Sequence, residues 1–238
     1  MKKIGFVFIL LLIFFPLASQ TTGTDSVTES DLVTESPFEK SFFEATDFFV
    51  GFTPLAYIST ENDNKGGPSS IVYPLYLGIA WPRDYWISIQ PSLKIFTDYY
   101  LVSEGKVYPA EIENRTGLGF SFLLNVPVVF QANFWDKSNL KLSAGIALLF
   151  RFAVTAPGID SNEAGDSGKV SDDISLINSS FYEGAKFIYF STSADWMFTL
   201  NNGMQIGPEI SFYIPVITLA SEFSLNGTMI SCGVKLFF

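Results

Sequence analysis

The chain has 238 residues, 48% of them hydrophobic and 16% aromatic but only 16% charged, and its formal net charge is −10. An acidic chain lacks the basic face that nucleic-acid binding requires, and its single cysteine, Cys232, excludes an intramolecular disulfide. There is no histidine, and the 25 phenylalanines are far more than a water-soluble secreted protein of this size needs.

Lys2 and Lys3 open the chain, an apolar run follows from Ile4 to Phe15, and then come Pro16-Leu17-Ala18-Ser19. Basic, apolar and small residues in that order predict a secretory signal peptide over residues 1–19. The run is shorter than the ~20 residues of a membrane-spanning helix. No cysteine stands near the cleavage region, so a lipid-modified N-terminus is not expected. Loss of Lys2 and Lys3 takes Lys+Arg from 14 to 12 against 24 Asp+Glu, a charge near −12 for the exported form. Residues 20–47 read as an acidic linker without strand alternation, typified by Thr24 to Asp31. Phe38, Phe42, Phe43 and Ala45 have a spacing that fits either a short periplasmic helix or an irregular lead into the first strand.

From Phe48 the period becomes two, the signature of strands. Eight strands are predicted, at about 48–58, 71–81, 85–100, 114–131, 139–155, 183–200, 204–218 and 223–238. Leu140 to Val154 is the clearest. Its even positions are all apolar, whereas its odd positions carry Lys141, Arg151 and small residues. Met204 to Val216 and Met229 to Phe238 repeat the pattern, and Leu118 to Phe130 and Ile188 to Leu200 follow it. Pro54, Pro74, Pro91, Pro127, Pro208 and Pro215 each remove a ladder donor and demand a bulge or local break.

The connections alternate in length. Those at 81–84, 134–138 and 201–203 are short, and 59–70, 101–113 and 156–182 are long and polar. The connection at 219–222 departs from the rule by being short. Short turns at one rim and long loops at the other characterise outer-membrane barrels. Gly203 closes a three-residue hairpin loop with a left-handed residue, which pairs Leu200 with Met204 and sets Asp195 opposite Glu209. Trp81, Trp86, Trp135 and Trp196 fall near the short turns, and Tyr57, Tyr73, Tyr99 and Tyr100 near the long loops. They are expected to form two interfacial girdles.

The final residues, with Val234, Leu236 and Phe238 on one face, resemble the C-terminal assembly signal of bacterial outer-membrane proteins. Residues 48–238 as a whole resemble the small eight-stranded class that includes OmpX, the OmpA membrane domain and the OmpW group. The resemblance implies an all-β, antiparallel, up-and-down transmembrane barrel in the bacterial outer membrane. Its implied partners are outer-membrane lipids and the barrel-assembly machinery. Outer-membrane barrels that are enzymes, such as palmitoyl transferases, phospholipases, lipid A deacylases and omptin proteases, use a catalytic histidine. This chain has none, so no enzyme, no catalytic residue, no metal and no cofactor is expected.

Lys94, Lys141, Arg151, Asp195, Glu209 and Lys235 face inward. Buried charges need partners, so a structural network of Lys141, Asp195, Glu209 and Lys235 is expected in the periplasmic half. A permeation or binding role for the six is the alternative. Asp160 to Ser171 only partly matches a calcium loop, because the bidentate Glu is missing. Two functions remain open. One is a surface interaction or structural protein that meets an extracellular ligand through loops 59–70, 101–113 and 156–182. The other is a narrow OmpW-like conduit, for which Gly117, Gly119, Ser121 and Asn125 would leave space beside Phe96, Leu123 and Phe187. A soluble lipocalin-like binding barrel is the architectural rival.

Overall fold

The computed structural model describes residues 42–58, 71–83, 85–111, 115–135, 137–156, 158, 169–222, 225 and 227–238. The signal peptide, nearly all of the linker and the 59–70 loop lie outside them. Twelve strands form one antiparallel sheet: β1 (Asp47–Phe52), β2 (Leu55–Ile58), β3 (Ile71–Val72), β4 (Leu75–Ala80), β5 (Ile87–Ile89), β6 (Ser92–Ser103), β7 (Lys106–Ala110), β8 (Gly117–Trp135), β9 (Ser138–Thr155), β10 (Ile188–Thr199), β11 (Gln205–Pro215) and β12 (Thr228–Phe237). β1 with β2, β3 with β4, and β5 with β6 are each one stave interrupted at Pro54, Pro74 or Pro91. β7 only folds back on β6. The wall therefore has eight staves in meander order, and β1 pairs with β12 to close it, Phe49 opposite Phe237 and Phe52 opposite Val234. Among the described residues no helix is long and apolar enough to cross a membrane. The closed wall of strands leaves no open edge.

The prolines are tolerated because each loses a donor but keeps an acceptor. The carbonyl of Pro54 accepts from the Cys232 amide (3.2 Å), Pro91 from Ile79 (3.1 Å) and Pro127 from Gln90 (3.0 Å). The ladder thus passes through the breaks. At the 200–204 turn Gly203 has φ of 87°, and the Leu200 amide donates to the Met204 carbonyl at 2.8 Å.

Side-chain direction separates two surfaces. Every inward position on β9 is odd-numbered, from Asn139 to Ala153, and every outward one even-numbered, as the alternation predicts. Outward residues are large and apolar, with Leu75 67% and Ile146 61% exposed. A surface of that extent is unfavourable in water and suited to lipid. The charged residues of the mid-wall, Lys94, Asp98, Lys141, Asp195, Glu209 and Lys235, are inside. This is the reverse of a lipocalin-like barrel, and the soluble alternative is thereby overturned. Cys232 lies on the outward face.

The structure corrects several boundaries. The predicted sixth strand, 183–200, begins only at Ile188. The polar loop before it contains helix α1 (Val170–Tyr182) and a 3-10 turn (Glu183–Ala185). Ile174, Ile177 and Phe181 recur at helical spacing and bury one face of α1. The predicted seventh strand, 204–218, stops at Pro215, and Val216–Glu222 forms helix α2. β12 accordingly starts at Thr228 rather than 223. The connection that seemed anomalously short is instead a long one, and the alternation of short and long connections becomes complete. The 101–113 loop is largely the β6–β7 hairpin, turned by Glu104 and Gly105, both with positive φ.

Trp86, Trp135 and Trp196 lie on the outside near the short turns, with Trp135 stacked on Trp196 at 6.1 Å. Trp81 packs against Phe42 at the same end. Tyr73 and Tyr99 face outward. Tyr57 and Tyr100 do not. Both turn into the bore, Tyr100 only 5% exposed, because they share parity with the inward Leu55 and Phe96.

A charge in the middle of the outer wall is costly. Replacing Ile146 with lysine is expected to lower folding stability in lipid vesicles by about 2–4 kcal/mol, measured by urea titration. An unchanged midpoint would contradict the assignment of this wall to lipid.

Candidate functional site

The bore is filled in layers. Nearest the short turns, Phe49, Tyr76, Ala80, Met197 and Phe237 pack together. Above them lies an ion cluster. Lys235 Nζ is 2.6 Å from Asp195 Oδ2 and 3.2 Å from Glu209 Oε2, and Lys94 Nζ is 3.4 Å from Glu209 Oε1. Lys94 also donates to Thr53 Oγ1 at 3.0 Å, Ser211 Oγ donates to Glu209 at 2.5 Å, and the Tyr76 hydroxyl donates to Glu209 Oε2. These side chains come from opposite walls, and all the charged ones are nearly fully buried. A carboxylate in this setting is stable because two ammonium groups and two hydroxyls surround it.

Of the six charges read from the sequence, Lys94, Asp195, Glu209 and Lys235 meet here. Lys141, expected in the group, is the cross-strand partner of Asp195, on which its charge acts; its ammonium donates to Gln205 Oε1 at 3.0 Å and sits 3.7 Å from the Phe237 ring centroid. Lys94 takes the place beside Glu209, a contact made across the bore that no pairing register along the wall specifies. A cavity of about 20 Å³ beside Lys94, Gln90 and Asn125 has room for roughly one water molecule.

The next layer is apolar. Leu55, Val72, Phe96, Leu123, Ala147, Leu149, Tyr189, Tyr213 and Met229 form one cluster. Each of the eight staves contributes to it, so the layer crosses the whole bore.

Toward the long loops a second polar group follows. The Tyr100 hydroxyl donates to Asp98 Oδ2 (2.6 Å) and accepts from Arg151 Nη1 (3.1 Å), and Ser121 donates to Asp98 (3.4 Å). Arg151 is thus far from the lower cluster. Asp98 was missed in the sequence, although its parity matches that of Lys94 and would have placed it inside.

Helix α1 closes this end. Phe181 packs edge-on to Tyr100 with ring centroids 4.9 Å apart, and the Arg151 guanidinium lies 4.6 Å from the Phe181 ring. The small residues that seemed to leave space instead receive these groups. A β-carbon on Gly117 would stand 2.8 Å from Ile177 Cδ1, and one on Gly119 would strike Asp98 and stand 2.8 Å from Tyr100 Cε2.

α1 also completes an edge. β10 begins opposite Leu148, which leaves the side of β9 away from β8 without a strand neighbour above that point. The Asn178 amide bonds both the N–H (2.8 Å) and C=O (3.0 Å) of Ala153, and the Tyr182 hydroxyl accepts from the Arg151 N–H (3.2 Å) and donates to its C=O (2.6 Å). Two side chains one helical turn apart thereby replace a strand. Asp160 to Ser171, the partial calcium-loop match, lies mostly outside the described residues. Among those described, no cluster of acidic or cysteine side chains could hold a metal. The C-terminal Val234 and Phe238 face outward, and the Phe238 amide donates to the Phe48 carbonyl at 2.9 Å.

No family model and no curated protein matches the sequence. Among solved structures, Neisserial surface protein A is similar, with a TM-score of 0.50 at 7% identity over 81% of this chain and 96% of that one. The chain has the fold of a small eight-stranded outer-membrane β-barrel. Ail of Yersinia pestis (TM-score 0.41, 8% identity, covering 81% of this chain and 97% of Ail) and the outer-membrane enzyme PagL (0.40, 13%, 80% and 98%) are also similar.

Two outcomes follow from this interior. Glu209→Gln leaves two buried ammonium groups sharing one carboxylate fewer, and is expected to cost about 3–5 kcal/mol in urea titration from vesicles. A cost near zero would contradict the pairing. Asn178→Ala is expected to speed hydrogen exchange of the Ala153 and Arg151 amides without altering that of β11, as read by NMR. Unchanged exchange at both would show that α1 does not guard this edge.

Proposed function

We propose that this protein is a sealed, non-enzymatic outer-membrane barrel that presents the surface at its long-loop end for interaction, and that it is not a conduit. The observation that carries this reading is the apolar layer fed by all eight staves, with a charge cluster beneath it and α1 above it. A permeating ion would have to break a packed hydrophobic layer and displace paired charges, since a bore this narrow holds little more than its own side chains. The inward charges then act structurally: Lys94 and Lys235 neutralise Glu209 and Asp195, Arg151 is tied through Tyr100 to Asp98, and Lys141 is held by Gln205.

The absence of catalysis is supported by the same packing. Groups with chemical capacity, such as Ser121 beside Asp98 or Ser211 beside Glu209, are buried between filled layers with no room for a substrate. The chain also lacks histidine. Among the described residues, what reaches beyond the wall is the β6–β7 hairpin, α1 and α2. Short turns face the periplasm in barrels of this type, which puts these elements outside the cell. The outward Val234, Leu236 and Phe238 suit recognition by assembly machinery, and export through the predicted signal peptide over residues 1–19 precedes it.

The test is planar-bilayer conductance of the refolded exported form. A folded protein, checked by heat-modifiable gel mobility, is expected to give no unitary steps, whereas reproducible steps would overturn the sealed reading in favour of the conduit. On intact cells, added protease is expected to cut between Ala156 and Lys169 and leave the wall intact. Full protection of that segment would contradict its exposure outside the cell.

A further inference from the structure

The apolar outer wall is not the same height all round. β8 and β9 contain 19 and 18 residues, whereas strands crossing a bilayer at a tilt need about 9–11. Trp196, the cross-strand partner of Leu140, fixes the level of the lower interface. From Leu140 to Val154 the outward residues of β9 are uninterruptedly apolar. At about 3.3 Å per residue and a tilt of 35–45°, that stretch rises about 33–38 Å, against an apolar band about 25 Å tall in barrels of this kind. The surplus is aromatic. Phe152 is stacked on Phe120 with centroids 5.2 Å apart and lies 6.0 Å from Phe122. Phe150, Phe152 and Val154 are each more than 40% exposed.

Two features say what covers this face. It is continuous with the lipid-facing band below, with no polar residue between Leu142 and Phe152 at the outward positions of β9. Its upper limit carries an interfacial pair. Tyr99 is the cross-strand partner of Leu118, which itself partners Val154, and the Arg115 guanidinium lies 5.7 Å from the Tyr99 ring. Tyrosine and arginine together mark the headgroup level of a membrane. On this wall that level is therefore near Leu118 and Val154, not near Phe122 and Phe150 where a band of ordinary height would end.

We propose that the upper outer face of β8 and β9 is a lipid-binding surface, on which acyl chains of the outer leaflet rise above their level elsewhere around the barrel. The bilayer thickens locally along this wall to cover it, as hydrophobic mismatch requires.

The test uses nitroxide labels in dioleoyl phosphatidylcholine vesicles. Cys232→Ala removes the native thiol, and Phe152→Cys or Phe120→Cys then carries the label. Ile146→Cys serves as the lipid reference and Lys169→Cys as the aqueous one. Gel mobility confirms folding, and the two aromatic sites are read independently. Labels at 152 and 120 are expected to collide with oxygen as the label at 146 does, and to lose collisions with a water-soluble nickel chelate to the level at 146. Nickel collisions at the level of 169 would overturn the proposal and make the face a water-exposed surface for a protein partner.

Discussion

A carboxylate held between two ammonium groups in the middle of the bore is the constraint on which the rest of the barrel depends. Glu209 on β11 meets Lys235 on β12, Lys94 on β6 and the Tyr76 hydroxyl on β4, and Lys235 extends the group to Asp195 on β10. An isolated charge is prohibitively costly in such surroundings, so these staves must stand at one relative height. Because side chains alternate along a strand, a slip of one residue would send Glu209 or Lys235 into lipid and an apolar partner into the bore. Lipid outside and paired charges inside therefore select the same register. The pairings of Asp195 with Glu209 and of Gly207 with Lys235 are its expression in the sheet.

The closure toward the long loops rests on different physics. There the sheet outgrows its own neighbours, and β9 rises past the start of β10 with ladder groups that need partners. α1 supplies them with Asn178 and Tyr182, while Ile174, Ile177 and Phe181 settle over the bore. One helix face thus satisfies a backbone edge and buries an apolar mouth together. Gly117 and Gly119 matter because they let that helix and the Tyr100 ring come close.

The wall was legible in the sequence because its signal is periodic and local. Alternation over Leu140 to Val154, the turn at Gly203 and the three short connections follow from residue spacing alone. Tyr99 and Tyr100 illustrate the limit. Read by their proximity to a loop, both belong to a girdle, yet adjacent residues of a strand must face opposite ways, and Tyr100 is the one inside. α1 was hidden because its apolar positions are spread through a polar, acidic stretch that reads as loop. The meeting of Lys94 with Glu209 joins staves that are not neighbours, so neither hydrophobic period nor turn chemistry encodes it. It becomes visible only when the barrel is closed.

The most direct measurement is a double-mutant cycle between Lys94 and Glu209, with Lys94→Met, Glu209→Gln and the double variant unfolded by urea from lipid vesicles. If the cluster sets the structure, the two costs will be strongly non-additive, with a coupling of about 1–3 kcal/mol, and the double variant will be little worse than Glu209→Gln alone. Additive costs would mean that the two groups do not act on one another, and that the contact of Lys94 with Glu209 across the bore does not hold these staves in register.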